Sequence, residues 1–409
     1  MQNSSNALTF CDITQSYAAK GGGVRTFLSE KRRFLLDRTD ANHCLIVPGA
    51  EDRIHRDGRT TTIEIKSPHV IGSPNYRLLV RSQAVLRALD LVRPDLIECQ
   101  DAYNLPWTAL FYRKRHPTTA VVAGYHTDFP TVYVEKYLVP RAGRFTARQV
   151  KSLAYRYAVN LYKRFDGFYT LTQMAAEHFA HLGIKDAGIL SLGADTTLFH
   201  KAQRSESLRQ SIGVQDDAPL LIYAGRIDGE KKARLIVDAF RKLPPAWNTH
   251  LLMLGDGNER QTLIRECAGL NVHFPGFVDD REMLATYLAS ADIYVSAMEN
   301  ETFGISVIEA QAAGLPVVGV HAGAMIDRVP PSLGRLGPCG DAEAMASNIS
   351  AIWMDRLSDI GNRARTHAIA NFSWKSTFET LCFDIYDQAM RKRTSRKIVD
   401  FPLQSAKAS

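Results

Sequence analysis

Strand-like and helix-like segments alternate along nearly the whole of this 409-residue chain, and that alternation limits the fold more than any other feature. Strand-like pieces fall at residues 8–14, 43–48, 60–65, 96–99, 120–125 and 168–171, with helices expected over 24–37, 76–91, 107–115 and 173–182. The pattern resumes with strands at 220–224, 250–254, 272–274, 293–296 and 317–320, and helices at 259–268 and 280–289. Such an order predicts an α/β fold, parallel sheets with helices on both faces. The chain is too long for one ordinary core, so two domains are expected, with a boundary near 195–215.

Composition excludes several classes. No apolar run approaches the roughly 18 residues a membrane span needs, and the first 20 residues lack a basic stretch followed by an apolar one, so neither a span nor a signal peptide is expected. The six cysteines stand singly, without CxxC spacing, and read as reduced thiols of a cytoplasmic protein, with no zinc site and no disulfide frame. Charge is uneven. Residues 1–190 carry a net +9, residues 191–390 a net −7, and the tail is basic again. A basic first half points to an anionic surface or acceptor.

Residues 299–320, ENETFGISVIEAQAAGLPVVGV, carry the densest chemical signal. Glu301 lies on a loop that turns at Gly304, and Glu309, after seven intervening residues, lies on the apolar helix that follows. A carboxylate among Ile305, Val307, Ile308 and Ala310 costs free energy unless it meets a partner. The backbone N–H groups from Phe303 through Gly304 and Ile305 to Ser306 sit at the helix N-terminus, where unpaired donors favour a phosphate. A phosphate site flanked by acids suits a ligand that is phosphorylated and rich in hydroxyls, as a nucleotide sugar is.

The same string resembles the signature of the retaining glycosyltransferases of family 4, with their GT-B fold: an E-x7-E motif continuing as A-x-A-x-G-x-P-V-V, here EAQAAGLPVV over 309–318. Three further stretches resemble that family. Gly22, Gly23, Val24 and Arg25 stand where it has a GGV or GGVxR stretch; Gly225, Arg226 and Lys231 match G-R-x-x-x-x-K; residues 192–199 stand where N-G-V-D-x-x-x-F is usual, with Leu192-Gly193 in place of Asn-Gly. The resemblance implies two Rossmann-like domains facing a cleft: an acceptor-binding domain over 1–200, a nucleotide-sugar domain over 201–374, a helix over 375–391 crossing back to the first, and a basic tail over 392–409. It implies that Arg226 and Lys231 neutralise the diphosphate, that Glu301 binds the transferred sugar and Glu309 the ribose, and that Phe277 and Val278 border the base. It places His126, after strand 120–125, against the sugar, and the Gly22-Gly23 loop beside the phosphates; Asp128 is a weaker candidate for the acceptor. Transfer with retention, by front-face displacement and without a metal or other cofactor, is the implied chemistry.

Seven basic and no acidic residues lie over 141–164, interleaved with Phe145, Val150, Leu153, Tyr157, Leu161 and Tyr162. A basic amphipathic helix of this kind lies on an anionic membrane or is simply a solvated face, and both readings stay open. No nucleic-acid-reading motif accompanies the charge, so no nucleic-acid partner is expected. The partners expected are a nucleotide-sugar donor and a lipid or carbohydrate acceptor, for an enzyme in the cytoplasm or on the inner face of the cell membrane. A phosphorylase or epimerase of the same fold, or a nucleotide-binding protein without catalysis, are the alternatives. An oxidoreductase is disfavoured because no GxGxxG fingerprint is present. Sugar, base (uracil, guanine or adenine) and acceptor stay open.

Overall fold

Two parallel sheets form, each inside its own unit of chain. In the computed structural model, which describes residues 7–17, 22–70, 73–133, 139–215, 217–355 and 359–394, the units are Met1–Ser191 with Trp374–Ser409, and Leu192–Ser373. The first unit contains β1 Thr9–Ile13, β2 Asn42–Gly49, β3 Arg53–Asp57, β4 Thr60–Lys66, β5 His69–Val70, β6 Ser73–Arg77, β7 Leu96–Cys99, β8 Ala120–Tyr125, β9 Gly167–Thr170 and β10 Gly188–Ile189. Its main sheet runs β10-β9-β8-β7-β1-β2-β4-β3, all parallel except for β3, which pairs antiparallel with β4 at the edge. Strands β7 and β8 are buried along their whole length, which is why they read as continuous apolar runs.

Two departures from the expected order have local causes. Residues 76–77, expected to open a helix, belong to β6: His69 pairs with Arg77, Arg77 donates to the Ser67 carbonyl at 2.7 Å, and the helix begins only at Ser82. Strand β3 is wholly exposed, so its sequence RIHRD has no apolar face to give a period; its charges also protect the edge.

The second unit contains β11 Leu220–Ala224, β12 His250–Leu254, β13 Val272–Gly276, β14 Ile293–Val295, β15 Val317–Val320 and β16 Gly334–Gly337. All pair in parallel, in the order β13-β12-β11-β14-β15-β16. The chain therefore leaves β11 toward one edge, then returns past it to β14. The crevice outside the carboxyl ends of β11 and β14 is a topological switch point, where open α/β sheets hold ligands. The first unit has the same feature between β1 and β7.

The units divide earlier than the sequence implied. Residues 192–200 belong to the second unit because Ala194 bridges to Ser373 and its N–H donates to the Phe372 carbonyl at 3.1 Å. Arg365 then donates to the carbonyls of Phe199 and Thr196. The last helical run, Trp374–Arg391, rejoins the first unit: the Phe378 ring centroid lies 5.5 Å from that of Phe27 and 5.6 Å from that of Phe34, and residues Thr380–Tyr386 are π-helical. The basic tail beyond residue 394 and Gly21 lie outside the described residues.

Candidate active site

The loop after β11 carries Arg226 and Lys231, and the loop after β14 carries Glu301, so both meet at the second unit's switch point. Lys231 Nζ lies 3.0 Å from Glu301 Oε2, and Glu301 Oε1 accepts the Gly304 N–H at 3.2 Å. Burial pushes the Glu301 carboxyl up, but Lys231 and the N–H groups of Phe303 and Gly304 outweigh it and hold the group below its ordinary range. Arg226 donates to Asp228 and forms an ion pair with Glu230 at 3.0 Å. Each cation is thus already met by a carboxylate of its own loop or of the facing one.

Two tyrosines that sequence reasoning missed tie these loops together. The Tyr223 hydroxyl, at the end of β11, donates to the Arg226 carbonyl at 2.6 Å. The Tyr294 hydroxyl, on β14, donates to Ser306 Oγ at 2.8 Å, and burial first, then Glu301 and Glu309, raise its pKa and keep it protonated. Both rings looked like ordinary members of apolar strands, and nothing in their spacing marked them.

Close backbone approach fixes the cation loop. Ile227 N–H donates to the Asp256 carbonyl at 3.0 Å, Glu259 N–H to Ile227 at 3.1 Å, and Gly255 N–H to Gly276 at 2.8 Å. A side chain on Gly255 would meet the Gly225 carbonyl oxygen at 1.8 Å, and one on Gly257 the Ile227 oxygen at 2.2 Å. Glycine is required at both. Phe277 and Val278 follow directly on β13, Phe277 exposed and Val278 half-buried. Lys232 stands at φ 54°, a left-handed setting strained for a side chain-bearing residue, and its amine lies 3.9 Å from Glu299.

The helix Ile305–Ala312 starts at Gly304, φ 85°, so the N–H groups of Ile305 and Ser306 occupy its first turn beside Glu301. Phe303 is buried under the Arg328 guanidinium, 4.1 Å from its ring centroid. Glu309 is buried, and its Oε1 accepts from Arg281 at 2.7 Å. Arg281 was not picked out from the sequence, although a buried acid on an apolar helix demands some such partner.

The remaining candidates belong to the first unit. Gly22, φ 101°, precedes the helix Gly23–Arg38, which begins on Gly23 and brings Phe27 against His126 with ring centroids 4.9 Å apart. His126, just beyond β8, is 6% exposed, and its Nε2 lies 2.9 Å from the Tyr169 hydroxyl. Burial first, and Lys31 second, drive its pKa down to about 3, so the ring is neutral. Asp128 is engaged locally: it accepts from the hydroxyls of Tyr125 and Tyr155, both at 2.8 Å, and from the Thr131 N–H. These bonds make it first a clasp for the turn after β8. A cavity of about 40 Å³ lies at the carboxyl ends of β1, β7 and β8, lined in part by Ser16, Gln100, Asp101, His126 and Thr127.

Two units of parallel α/β chain, each with its own switch point, have counterparts among solved structures. Sucrose-phosphate synthase from Thermosynechococcus elongatus superposes with a TM-score of 0.71 over 91% of this chain and 97% of its own, at 20% identity. HepE of Anabaena, solved with UDP-glucose, gives 0.68 over 91% and 98%, also at 20% identity. The fold is GT-B. The model of the glycosyl transferases group 1 matches residues 204–367, and that of glycosyltransferase family 4 matches residues 21–198. A GDP-mannose-dependent alpha-(1-6)-phosphatidylinositol dimannoside mannosyltransferase of Mycobacterium tuberculosis is 30% identical over 375 residues, 89% of this chain and 92% of that protein. The sulfoquinovosyl transferase SQD2 of Arabidopsis thaliana is 27% identical over 347 residues, 80% and 65% of the two chains. The chain belongs to the family 4 glycosyltransferases and is a hexosyltransferase.

Proposed function

We propose that the chain moves a hexose from a nucleoside diphosphate sugar to a hydroxyl of a lipid or glycan, with retention at the anomeric carbon and without a metal. The contact between Lys231 and Glu301 at the β11–β14 switch point carries this reading. A diphosphate entering there exchanges the carboxylate partners of Arg226 and Lys231 for its own oxygens, whose charge rises as the glycosidic bond breaks. N–H groups of Gly304, Ile305 and Ser306 add donors to the same phosphates, and Phe303 anchors their turn. Glu301, released from Lys231, accepts from hydroxyls of the sugar. Glu309, steadied by Arg281, accepts from the ribose, and Phe277 and Val278 border the base. In this reading His126 faces the sugar and the Gly22-Gly23 loop approaches the phosphates. With no carboxylate assigned as nucleophile, the departing phosphate takes the acceptor's proton as the acceptor oxygen bonds to the same face of the sugar.

GDP-mannose is the first donor to test, since the M. tuberculosis relative is named for it; UDP-glucose is the second. Transfer from labelled donor, with the anomeric configuration of the product read by NMR, tests transfer and retention together. Activity that survives EDTA supports charge neutralisation by Arg226 and Lys231, and activity abolished by EDTA and restored by a divalent ion contradicts it. Conversion of the donor that needs inorganic phosphate, or that epimerises the sugar in place, would move the chain to another class.

A lipid acceptor is favoured by one surface. On the helix Val139–Tyr162, Phe145 is 78% exposed and Leu153 60%, and Val150 and Tyr157 are also exposed, while Leu161 and Tyr162 turn into the core. The exposed cations Arg148 and Arg156 share that helix, and exposed Trp107 donates to the Tyr157 hydroxyl at 2.9 Å under the Arg164 guanidinium. No helix among the described residues is long and apolar enough to cross a membrane. Apolar tips among cations suit the surface of an anionic bilayer. Sedimentation with vesicles containing anionic lipid is expected, and its loss in Phe145→Ser/Leu153→Ser checks the face; equal pelleting of wild type and variant would assign binding elsewhere.

A further inference from the structure

Behind His126 lies a closed set of buried charges that the proposed reaction does not use. Lys31, 1% exposed, spends its three N–H bonds on Asp12 Oδ1 at 2.7 Å, Glu98 Oε2 at 2.9 Å and the Tyr386 oxygen at 2.5 Å. Tyr386 in turn donates its hydrogen to Glu98 Oε2. Gln100 Nε2 gives one hydrogen to Asp12 Oδ1 at 3.0 Å and the other to Glu98 Oε1. Both acceptors are carboxylates held by Lys31, so the Gln100 amide has one permitted orientation, and its Oε1 is buried without a hydrogen-bond partner in the protein.

The same accounting reaches His126. Tyr169 has one hydrogen, and Glu98 Oε1 takes it at 2.6 Å. The Tyr169 oxygen can then only accept, so the 2.9 Å contact to His126 Nε2 has the imidazole as donor. The ring is neutral, since burial and Lys31 both oppose its protonation. Its one proton is therefore on Nε2, and Nδ1 is the accepting nitrogen.

We propose that Glu98 and Tyr169 are positioning residues that fix His126 in its Nε2–H tautomer, so that the imidazole meets the substrate only as an acceptor for a sugar hydroxyl. The placing of a sugar at His126 rests on the function proposed above; the tautomer does not. Lys31 and Tyr386 hold Glu98, which gives the returning helical run a part in setting His126. His126, Gln100 and Asp101 together line the cavity at the ends of β1, β7 and β8. Its volume of about 40 Å³ suits one hydroxyl or hydroxymethyl group. The acceptors at His126, Gln100 and Asp101 favour a neutral hydroxyl over a phosphate there.

Long-range ¹H–¹⁵N spectra of the full chain labelled at histidine test this directly, with His126 assigned by its loss in His126→Gln. The expected wild-type pattern is a neutral ring protonated on Nε2, unchanged from pH 8 to pH 5.5. In Tyr169→Phe, which removes the acceptor, the pattern shifts toward a mixture of tautomers, and kcat with the donor that the wild type uses falls about tenfold at nearly constant KM. A wild-type ring protonated on Nδ1, or an imidazolium, overturns the proposal. An unaltered tautomer in Tyr169→Phe overturns it too. Because the spectra need no ligand, a protein that binds no nucleotide sugar would sink the functional reading and leave this result standing.

Discussion

Lys31 and Lys231 show what a lysine does in each setting. Lys31 pairs with Asp12 and Glu98, both fully buried. Lys31→Met would leave two carboxylates in the core without it, at a cost of about 3–5 kcal/mol, measurable as a lowered urea midpoint. An unchanged midpoint would show that the cluster is not held by charge. Lys231 is half-buried and paired with Glu301, the partner that a diphosphate replaces in the proposed function. Arg226→Ala or Lys231→Ala should remove on the order of 2–4 kcal/mol of transition-state stabilisation, roughly 30- to 1,000-fold in kcat/KM, while the urea midpoint hardly moves. Arg226, Lys231 and Glu301 stood out in the sequence through motifs that resemble the family's, and the structure brings Lys231 and Glu301 into contact. The partners Tyr223, Tyr294, Arg281 and Tyr169 did not stand out, since a polar atom at the tip of a core side chain leaves no period. Asp128 was readable only as an acid near a strand end; its two tyrosines, far along the chain or on the strand itself, decide what it does.

At the scale of elements, the loops after β11, β12 and β13 act as one piece because backbone bonds join them. Gly255, like Gly257, is a position where that joint tolerates no side chain, with φ 134° and the Gly225 carbonyl in the way. Gly255→Ala should therefore shift the Arg226 loop and cut kcat/KM, although residue 255 lies outside the proposed contacts with the donor. Kinetics beside a crystal structure of the variant check this, and wild-type activity would show that the loop can move without loss. Strands covered on both faces were legible as apolar runs, whereas β3 and the β5–β6 hairpin were not. Their pairing depends on neighbours and not on a pattern of their own. The boundary at 191/192 was blurred for a similar reason: the Ala194–Ser373 bridge joins residues far apart in the chain.

For the whole molecule, buried histidines set the response to acid. Burial, the largest cause in each case, lowers the pKa of His43 and His126 from the ordinary histidine value of 6.5, that of His126 to about 3. As pH falls below 6.5 the unfolded chain takes up protons that the folded chain refuses, so stability declines toward about pH 3. Asp101 opposes this: burial raises its folded pKa to about 6 from 3.8, so it adds stability as pH falls through that range. His43 and His126, joined by His250, which burial pushes down to about 4, outweigh Asp101 and predict a lower urea midpoint at pH 5.5 than at pH 7.5, and a higher one would contradict the assignment. The central claim concerns the second unit, whose switch point gathers cations and acids around a sugar-bearing diphosphate. Calorimetric titration of GDP-mannose and UDP-glucose into wild type, Arg226→Ala and Lys231→Ala tests it most directly. The account predicts that wild type binds one of these donors and that each substitution weakens binding roughly tenfold or more. Donor affinity that is the same in all three proteins would contradict it.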